Sequence, residues 1–236
     1  MHSMRPLQTD PVTGEPFLRL PNPLERIIIT PPRLDDAEVI TSIMAHDSVV
    51  KWLAVVPRPY TLKDAEEWLE GSTREADEAL AEMRAEMEEG RSMGSCPLRS
   101  VREVQADGSQ LLIGGVGVGR TSFSYLEDDE EAKRLALDNE KRATGDPNIV
   151  WEIGDYLAPT HHGRGIMTAV IGALVREWLV PRMGARHVVA APYVGNVGSV
   201  RVFEKNGFEL EGVMRKNTVN AAGEKHVGQV VMRWDA

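Results

Sequence analysis

The sequence predicts an α/β protein with a mixed sheet flanked by helices, and three observations carry that prediction. From Ile149 the chain alternates: "IVWEIGDYL" and "ARHVVAAPY" have strand composition, while "GRGIMTAVIGALVREWLV" and "NVGSVRVFEKNG" have helical periodicity. Such alternation implies at least one parallel crossover. The chain then runs through "FELEGVMRK" and "KHVGQVVMRW", two strand-like segments joined by a turn at Asn220–Gly223, so antiparallel pairs are expected as well. A further hairpin is signalled by Asp107-Gly108 between "LRSVREV" and "QLLIGGVGVGR".

Taken in order, residues 1–25 are rich in proline and polar groups and read as an arm lying on or off the surface, with the domain spanning 26–236. "RIIIT" is a β-branched strand stopped by Pro31-Pro32. "RLDDAEVITSIMAHD" places Leu34, Ala37, Ile40, Ile43 and Met44 on one helix face, with Asp35 and Asp36 in the first turn, where carboxylates favour the dipole. A loop with Trp52, Pro57, Pro59 and Tyr60 precedes a long helix that Thr61 and Asp64 can cap reciprocally. Between Leu62 and Glu89 eleven acidic residues face three basic ones, a solvated helix face first and an attraction for cations second. Gly114, Gly115, Gly117 and Gly119 read as strand glycines at a bulge or close approach, because no helix starts after them. Residues 121–147, with eight acidic and four basic side chains, read as an insertion that is helical around Glu130 to Lys141.

Composition narrows the function. The 236 residues, 42% apolar and 27% charged, have the balance of a soluble globular protein, and no apolar run is long enough for a membrane span. The N-terminus lacks the apolar core of a secretory signal, so a cytoplasmic protein is expected. A net charge of -9 argues against wide contact with nucleic acid. One cysteine, Cys96, excludes an internal disulfide framework, and His161-His162 without a third ligand nearby does not suggest a metal site. Monomer and homodimer both stay open.

The chemistry concentrates in "YLAPTHHGRGIMTAVIGALV". A helix N-terminus offers unpaired N–H groups and the positive end of a dipole, and glycines let that backbone approach a phosphate closely. Gly163 and Gly165 stand where such a helix begins. The dinucleotide fingerprint and the lysine-bearing phosphate loop are both absent.

His162-Gly163-Arg164-Gly165-Ile166-Met167 resembles the Gln/Arg-x-x-Gly-x-Gly/Ala loop of the GNAT N-acetyltransferases. "NVGSVRVFEKNGFELEG" is similar to their second cofactor segment, and "PPRLDDAEVI" with "VVKWLAVVPRPYTLKDAEEWL" looks like the N-terminal half of the branch that acetylates ribosomal-protein N-termini. The resemblance runs from about Arg26 to Trp234, departing from the pattern at His162, at Met167 and in the insertion. It implies an acetyltransferase fold with a mostly antiparallel sheet and a splayed central strand pair, and acetyl-coenzyme A as co-substrate with an amine acceptor. His162, Gly163, Arg164, Gly165, Ile166, Met167 and Thr168 would then hold the pyrophosphate. Backbone near Tyr156 and Leu157 would hold the pantetheine and the thioester carbonyl, with Asn196, Ser199 and Phe203 completing the cofactor site.

Acetyl transfer to an amine needs a base for the nucleophile and a proton for the leaving thiolate. Glu152, on one strand face with Gly154 and Tyr156, is the first candidate base, through water; Asp155, on the opposite face, is the second. Many relatives carry a tyrosine where this chain has Phe203, which has no proton to give, so Ser199 is the candidate acid. A catalytically silent acyl-coenzyme A sensor or scaffold of the same fold remains the alternative, and a phosphotransferase is disfavoured by the missing lysine.

Overall fold

The run Ile27–Thr30 forms strand β3, every residue of it buried, in a computed structural model that describes residues 6–89, 92–220 and 223–236. Two strands precede it. β1 (Gln8–Thr9) pairs with β2 (Pro16–Arg19), and β2 pairs antiparallel with β3. Within the expected arm, the described residues 6–25 extend the sheet, because Leu7, Phe17, Leu18 and Leu20 bury their side chains while the prolines stay at strand ends; residues 1–5 lie outside the described residues. The remaining strands are β4 (Ser100–Val104), β5 (Gln110–Arg120), β6 (Val150–Leu157), β7 (His187–Ala190), β8 (Glu209–Val219) and β9 (Lys225–Asp235). Their order is β1-β2-β3-β4-β5-β6-β7-β9-β8, with β6–β7 as the parallel pair and antiparallel neighbours elsewhere.

The β4–β5 hairpin turns at Asp107-Gly108 as the sequence predicts. Asp107 accepts the Ser109 N–H at 2.9 Å, and Gly108 takes φ +86°. A bulge between Val101 and Arg102 lies opposite Gly114, where a Cβ would come within 2.4 Å of the Tyr156 carbonyl oxygen. At Gly115 a Cβ would lie 2.6 Å from the Tyr156 ring, so the glycines of β5 are there to let β6 and its tyrosine approach.

Helices cover both faces. Ile113 and Leu112, adjacent in β5, point to opposite sides. Ile113 joins the main core with α5 (Ile166–Leu174), where Val170, Ile171, Leu174 and the following Trp178 are fully buried. Leu112 joins a second core with α1 (Ala37–Met44), α2 (Asp47–Val50) and the first half of α3 (Leu62–Glu89). Thr61 and Asp64 form the expected reciprocal cap of α3, with backbone contacts of 2.8 and 3.3 Å. No helix among the described residues is long and apolar enough to cross a membrane.

Helix α1 starts later than its periodicity suggested. Leu34 and Asp35 fall in a short 3-10 turn, and Leu34 is 63% exposed. Asp36 does not serve the helix dipole at the surface; it is buried and receives both outer nitrogens of Arg102 of β4, at 2.8 and 2.6 Å. Arg102 Nε donates to Thr30 Oγ1 at 2.9 Å.

The 121–147 segment is fastened to the end of β5 and the start of β6. α4 (Asp129–Glu140) is capped by Asp128, which accepts the Glu130 and Glu131 N–H groups. Arg120 donates to the carbonyls of Asn139, Glu140 and Arg142 at the other end, where the dipole favours a cation. Buried Asn139 exchanges two hydrogen bonds with the Val150 backbone, at 2.8 and 3.0 Å, and so fastens α4 to the start of β6. A π-helical turn (Val175–Leu179) continues α5 into α6 (Val180–Met183), a 3-10 turn (Pro159–His161) follows β6, and α7 (Val197–Glu204) lies between β7 and β8.

Candidate active site

β6 and β7 pair only from Val150↔His187 to Glu152↔Val189, yet β6 runs on to Leu157. Beyond Glu152 the two strands part, and a wedge opens between them. The direction of the freed backbone groups follows from two hydrogen bonds to the β5 side, Thr121 N–H to Val150 O at 3.0 Å and Ala158 N–H to Ile113 O at 2.7 Å. In an antiparallel ladder these bonds alternate, so even-numbered residues of β6 pair with β5 and odd-numbered ones face β7. The N–H groups of Asp155 and Leu157 therefore point into the wedge, whereas that of Tyr156 belongs to the ladder with Gly115. The Tyr156 ring lies over Gly115, and its amide faces β5 and not the wedge.

The glycine turn closes one end of the wedge. Gly163 and Gly165 have φ of +73° and +75°, a conformation that glycine reaches without strain, and a Cβ at either would meet nothing within 4 Å. Gly165 is the N-cap of α5 and no side chain caps the helix. The first intrahelical bond is Ala169 N–H to Gly165 O, which leaves the N–H groups of Ile166, Met167 and Thr168 without helical partners. His162 folds back, its Nε2 2.8 Å from the Leu157 carbonyl oxygen. Arg164 turns away: its guanidinium is 2.9 Å from Glu103 of β4, which is also 3.4 Å from the His161 ring. Burial works against charge on Glu103, but hydrogen bonds from Arg164 and His161 hold its carboxyl below the ordinary value. Met167 brings no bulk into the turn, since its side chain is 5% exposed and packs in the main core.

α7, packed beside α5, also lines the cleft. Asn196 caps it, its Oδ1 accepting the Ser199 N–H at 3.3 Å, and both side chains are half-buried. Phe203 lies in the core against Phe208, ring centroids 5.1 Å apart. The cleft has a volume of about 1160 Å3 and is lined by Glu152, Asp155, Tyr156, Leu157, His162, Gly163, Gly165, Ile166, Met167, Thr168, Asn196, Ser199 and Phe203. Arg164 alone of the sequence candidates does not line it, because Glu103 holds its side chain elsewhere.

The two candidate bases differ in environment. Glu152 accepts a hydrogen bond from Thr121 Oγ1 at 2.7 Å; burial raises its pKa, and the Thr121 bond opposes that rise. Asp155 is half-buried on the other face, and burial pushes its carboxyl up to about 6. An acid whose folded pKa is raised withdraws stability as pH climbs from its unfolded value, about 3.9, through about 6. Asp155→Asn is therefore expected to raise the unfolding midpoint by several degrees at pH 7 and to change it little at pH 4, as thermal unfolding at the two pH values would read. Sequence reasoning missed Thr121 and Glu103, neither of which carries a local motif; both reach the site only through strand register.

A family profile described as the acetyltransferase (GNAT) domain matches residues 26–209. The chain belongs to the GNAT acetyltransferase family. Among curated proteins, the probable N-acetyltransferase YjcK of Bacillus subtilis is 39% identical over 75 residues, 31% of this chain and 41% of that protein, so the match spans less than half of the relative's length. A GNAT-family acetyltransferase from Bacillus anthracis superposes with a TM-score of 0.59 at 16% identity, covering 93% of this chain and 98% of that one. The ribosomal L7/L12 N-terminal acetyltransferase RimL, solved with coenzyme A, gives a TM-score of 0.57 at 13% identity, covering 93% and 97%. At these identities the structural likeness concerns the fold. The sheet with its parted β6 and β7 supplies a wedge with N–H groups facing into it, a glycine-opened helix terminus and two half-buried carboxylates in one cleft.

Proposed function

We propose that the protein transfers the acetyl group of acetyl-coenzyme A to a primary amine by direct attack in a ternary complex. The observation that carries this reading is the junction of the β6–β7 wedge with the uncapped N-terminus of α5. The cradle fits a pyrophosphate: open space over Gly163 and Gly165, and the free N–H groups of Ile166–Thr168 at the positive end of a dipole. Acetyl-coenzyme A supplies a thioester already activated for acyl transfer.

This chain's residues then have distinct tasks. The N–H groups of Asp155 and Leu157 bind the pantetheine arm and the carbonyl oxygen, as preorganised donors for developing negative charge. Glu152 takes the amine proton, directly or through water, and burial keeps its pKa nearer the working pH than an exposed glutamate's. Ser199 donates a proton to the departing sulfur as the new C–N bond replaces C–S; Phe203 has none to give. Asn196 orients Ser199 by capping α7. The same cleft is also lined by Asp64 and Glu67 with Trp52, Tyr60 and Trp68. Carboxylates beside aromatic rings suit a cationic amine. A protein N-terminus, a polyamine and a small metabolite all meet that description.

Thermal unfolding with and without acetyl-coenzyme A tests the first half of the reading. A ligand at about 100 times its Kd stabilises by about 2.7 kcal/mol, worth roughly 5–10 °C for a chain of this size. A rise of that order is expected, and no shift at millimolar concentration would overturn the cofactor assignment. Release of free thiol across an amine panel tests the second half. Binding without release over the whole panel would leave the silent acyl-coenzyme A sensor as the surviving account.

A further inference from the structure

Thr121, the first residue after β5, stands 2.7 Å from Glu152 and belongs to the acidic insertion. We propose that Thr121 is a positioning residue, through which the 121–147 segment orients the Glu152 carboxylate and sets how readily it holds a proton. The inference rests on the reading of Glu152 as the base.

Four observations support it. First, the direction of the bond is set. Thr121 Oγ1 accepts the Phe123 N–H at 3.1 Å and also contacts the Tyr125 phenol; toward the ionised Glu152 Oε2, which can only accept, the hydroxyl is the donor. A hydroxyl polarised in this way favours the charged carboxylate over the neutral acid. Second, Thr121 is only 2% exposed, so the bond is shielded from competing water. Third, the chain turns sharply just beyond it. Phe123 has φ +53°, the only positive φ at a non-glycine among the described residues, and its carbonyl accepts the Leu126 N–H at 3.0 Å, so the turn brings Tyr125 back toward Thr121. Left-handed backbone at such a residue persists only where its surroundings enforce it.

Fourth, the surroundings are supplied by the insertion. Asn139 of α4 donates to the Thr121 carbonyl at 3.4 Å and to the Val150 carbonyl, while Arg120 binds the C-terminal carbonyls of the same helix. Tyr125, 3% exposed, packs on Val189 and Val231, near enough for the Glu152 charge to act on its phenol. Burial pushes its phenol up to about 12, with Glu211 and Glu152 acting in the same direction, so it stays neutral. The titratable and charged groups around the carboxylate are then Tyr125 beside it and, beyond Tyr125, Glu211 of β8 and Arg233 of β9, which are ion-paired at 3.7 Å. Asp155 points from the other face of β6. Of these neighbours, Thr121 alone donates a hydrogen bond to Glu152 among the described residues. The insertion thus serves as the outer wall of the proposed base.

Carboxyl carbon NMR of the full chain tests this without any acceptor. The Glu152 signal is assigned by its loss in Glu152→Gln, and its titration midpoint is followed in the unmodified protein, Thr121→Val and Thr121→Ser. Removing the donor is expected to raise the midpoint by about one pH unit, and serine to restore it. Thr121→Ala, which makes no steric demand, replaces valine if that variant does not fold. An unchanged midpoint in the valine or alanine variant would overturn the proposal. In acetyl transfer, the acid limb of the pH–rate profile should move upward with the NMR midpoint. If the midpoint moves and the limb does not, Glu152 is not the base, and the positioning contact stands apart from that failure.

Discussion

Glu152→Gln is expected to lower kcat for acetyl transfer by about 100- to 10,000-fold, the usual worth of a positioned general base, while leaving the thermal shift by acetyl-coenzyme A in place. The substitution is nearly isosteric, and the glutamine carbonyl can still accept the Thr121 hydrogen bond, so the wall of the cleft should survive. Thiol release at saturating amine is the measurement. The pH profile adds a second handle. Burial raises the pKa of Glu152, so the ionised base is lost as pH falls through a value above that of an ordinary glutamate, and the rate should fall with it. Retained turnover in the glutamine variant would hand the role to Asp155 or to a water chain. Asp155→Asn then decides between these two, since only a carboxylate with a pKa near 6 would give its own limb there.

How much of this was readable beforehand depends on the range of the interactions. Local signals worked where they were local in fact. Asp107-Gly108 turns its hairpin, Thr61 and Asp64 cap α3, Asn196 caps α7, and Gly163 and Gly165 open α5. The acetyltransferase fold and its mixed sheet were legible from the ordered motifs, because each motif fixes a strand-to-helix junction. What failed was non-local. Nothing in "LDDAEV" says that Asp36 pairs with a residue 66 positions away, or that the helix starts after it. The arm at residues 1–25 looked polar by count, yet "FLRL" buries three of its four side chains. The Arg164 side chain is held by Glu103, a partner that only the β4 register brings near. Thr121 is the same case: a single hydroxyl at the end of a glycine-rich strand has no signature until Glu152 is paired opposite Gly119.

Arg102→Met is expected to cost about 3–5 kcal/mol of stability, the range for removing one partner of a buried ion pair, and to lower the unfolding midpoint by on the order of 10 °C. The guanidinium is 2% exposed and satisfies Asp36 with two nitrogens and Thr30 with a third. Without it a carboxylate is left in the core between β3, β4 and α1, with the Arg33 N–H at 3.1 Å as its remaining donor. Asp36→Leu combined with Arg102→Met should recover most of the loss, because the charge that made the single change costly is gone. Calorimetry of the two single variants and the double one completes the cycle. The outcome bears on catalysis as well as stability. Tyr156 packs in the same core as α1, near enough for the Asp36 and Arg102 charges to act on its phenol, and its ring fills the space that Gly115 leaves open. That ring fixes the segment of β6 whose neighbouring N–H groups face the wedge. If the double variant regains its midpoint but loses acetyl-coenzyme A binding, the buried pair is retained for the register of β6 and not for stability. If both return together, the pair is one packing solution among several, and Gly115 with Tyr156 sets the wedge on its own.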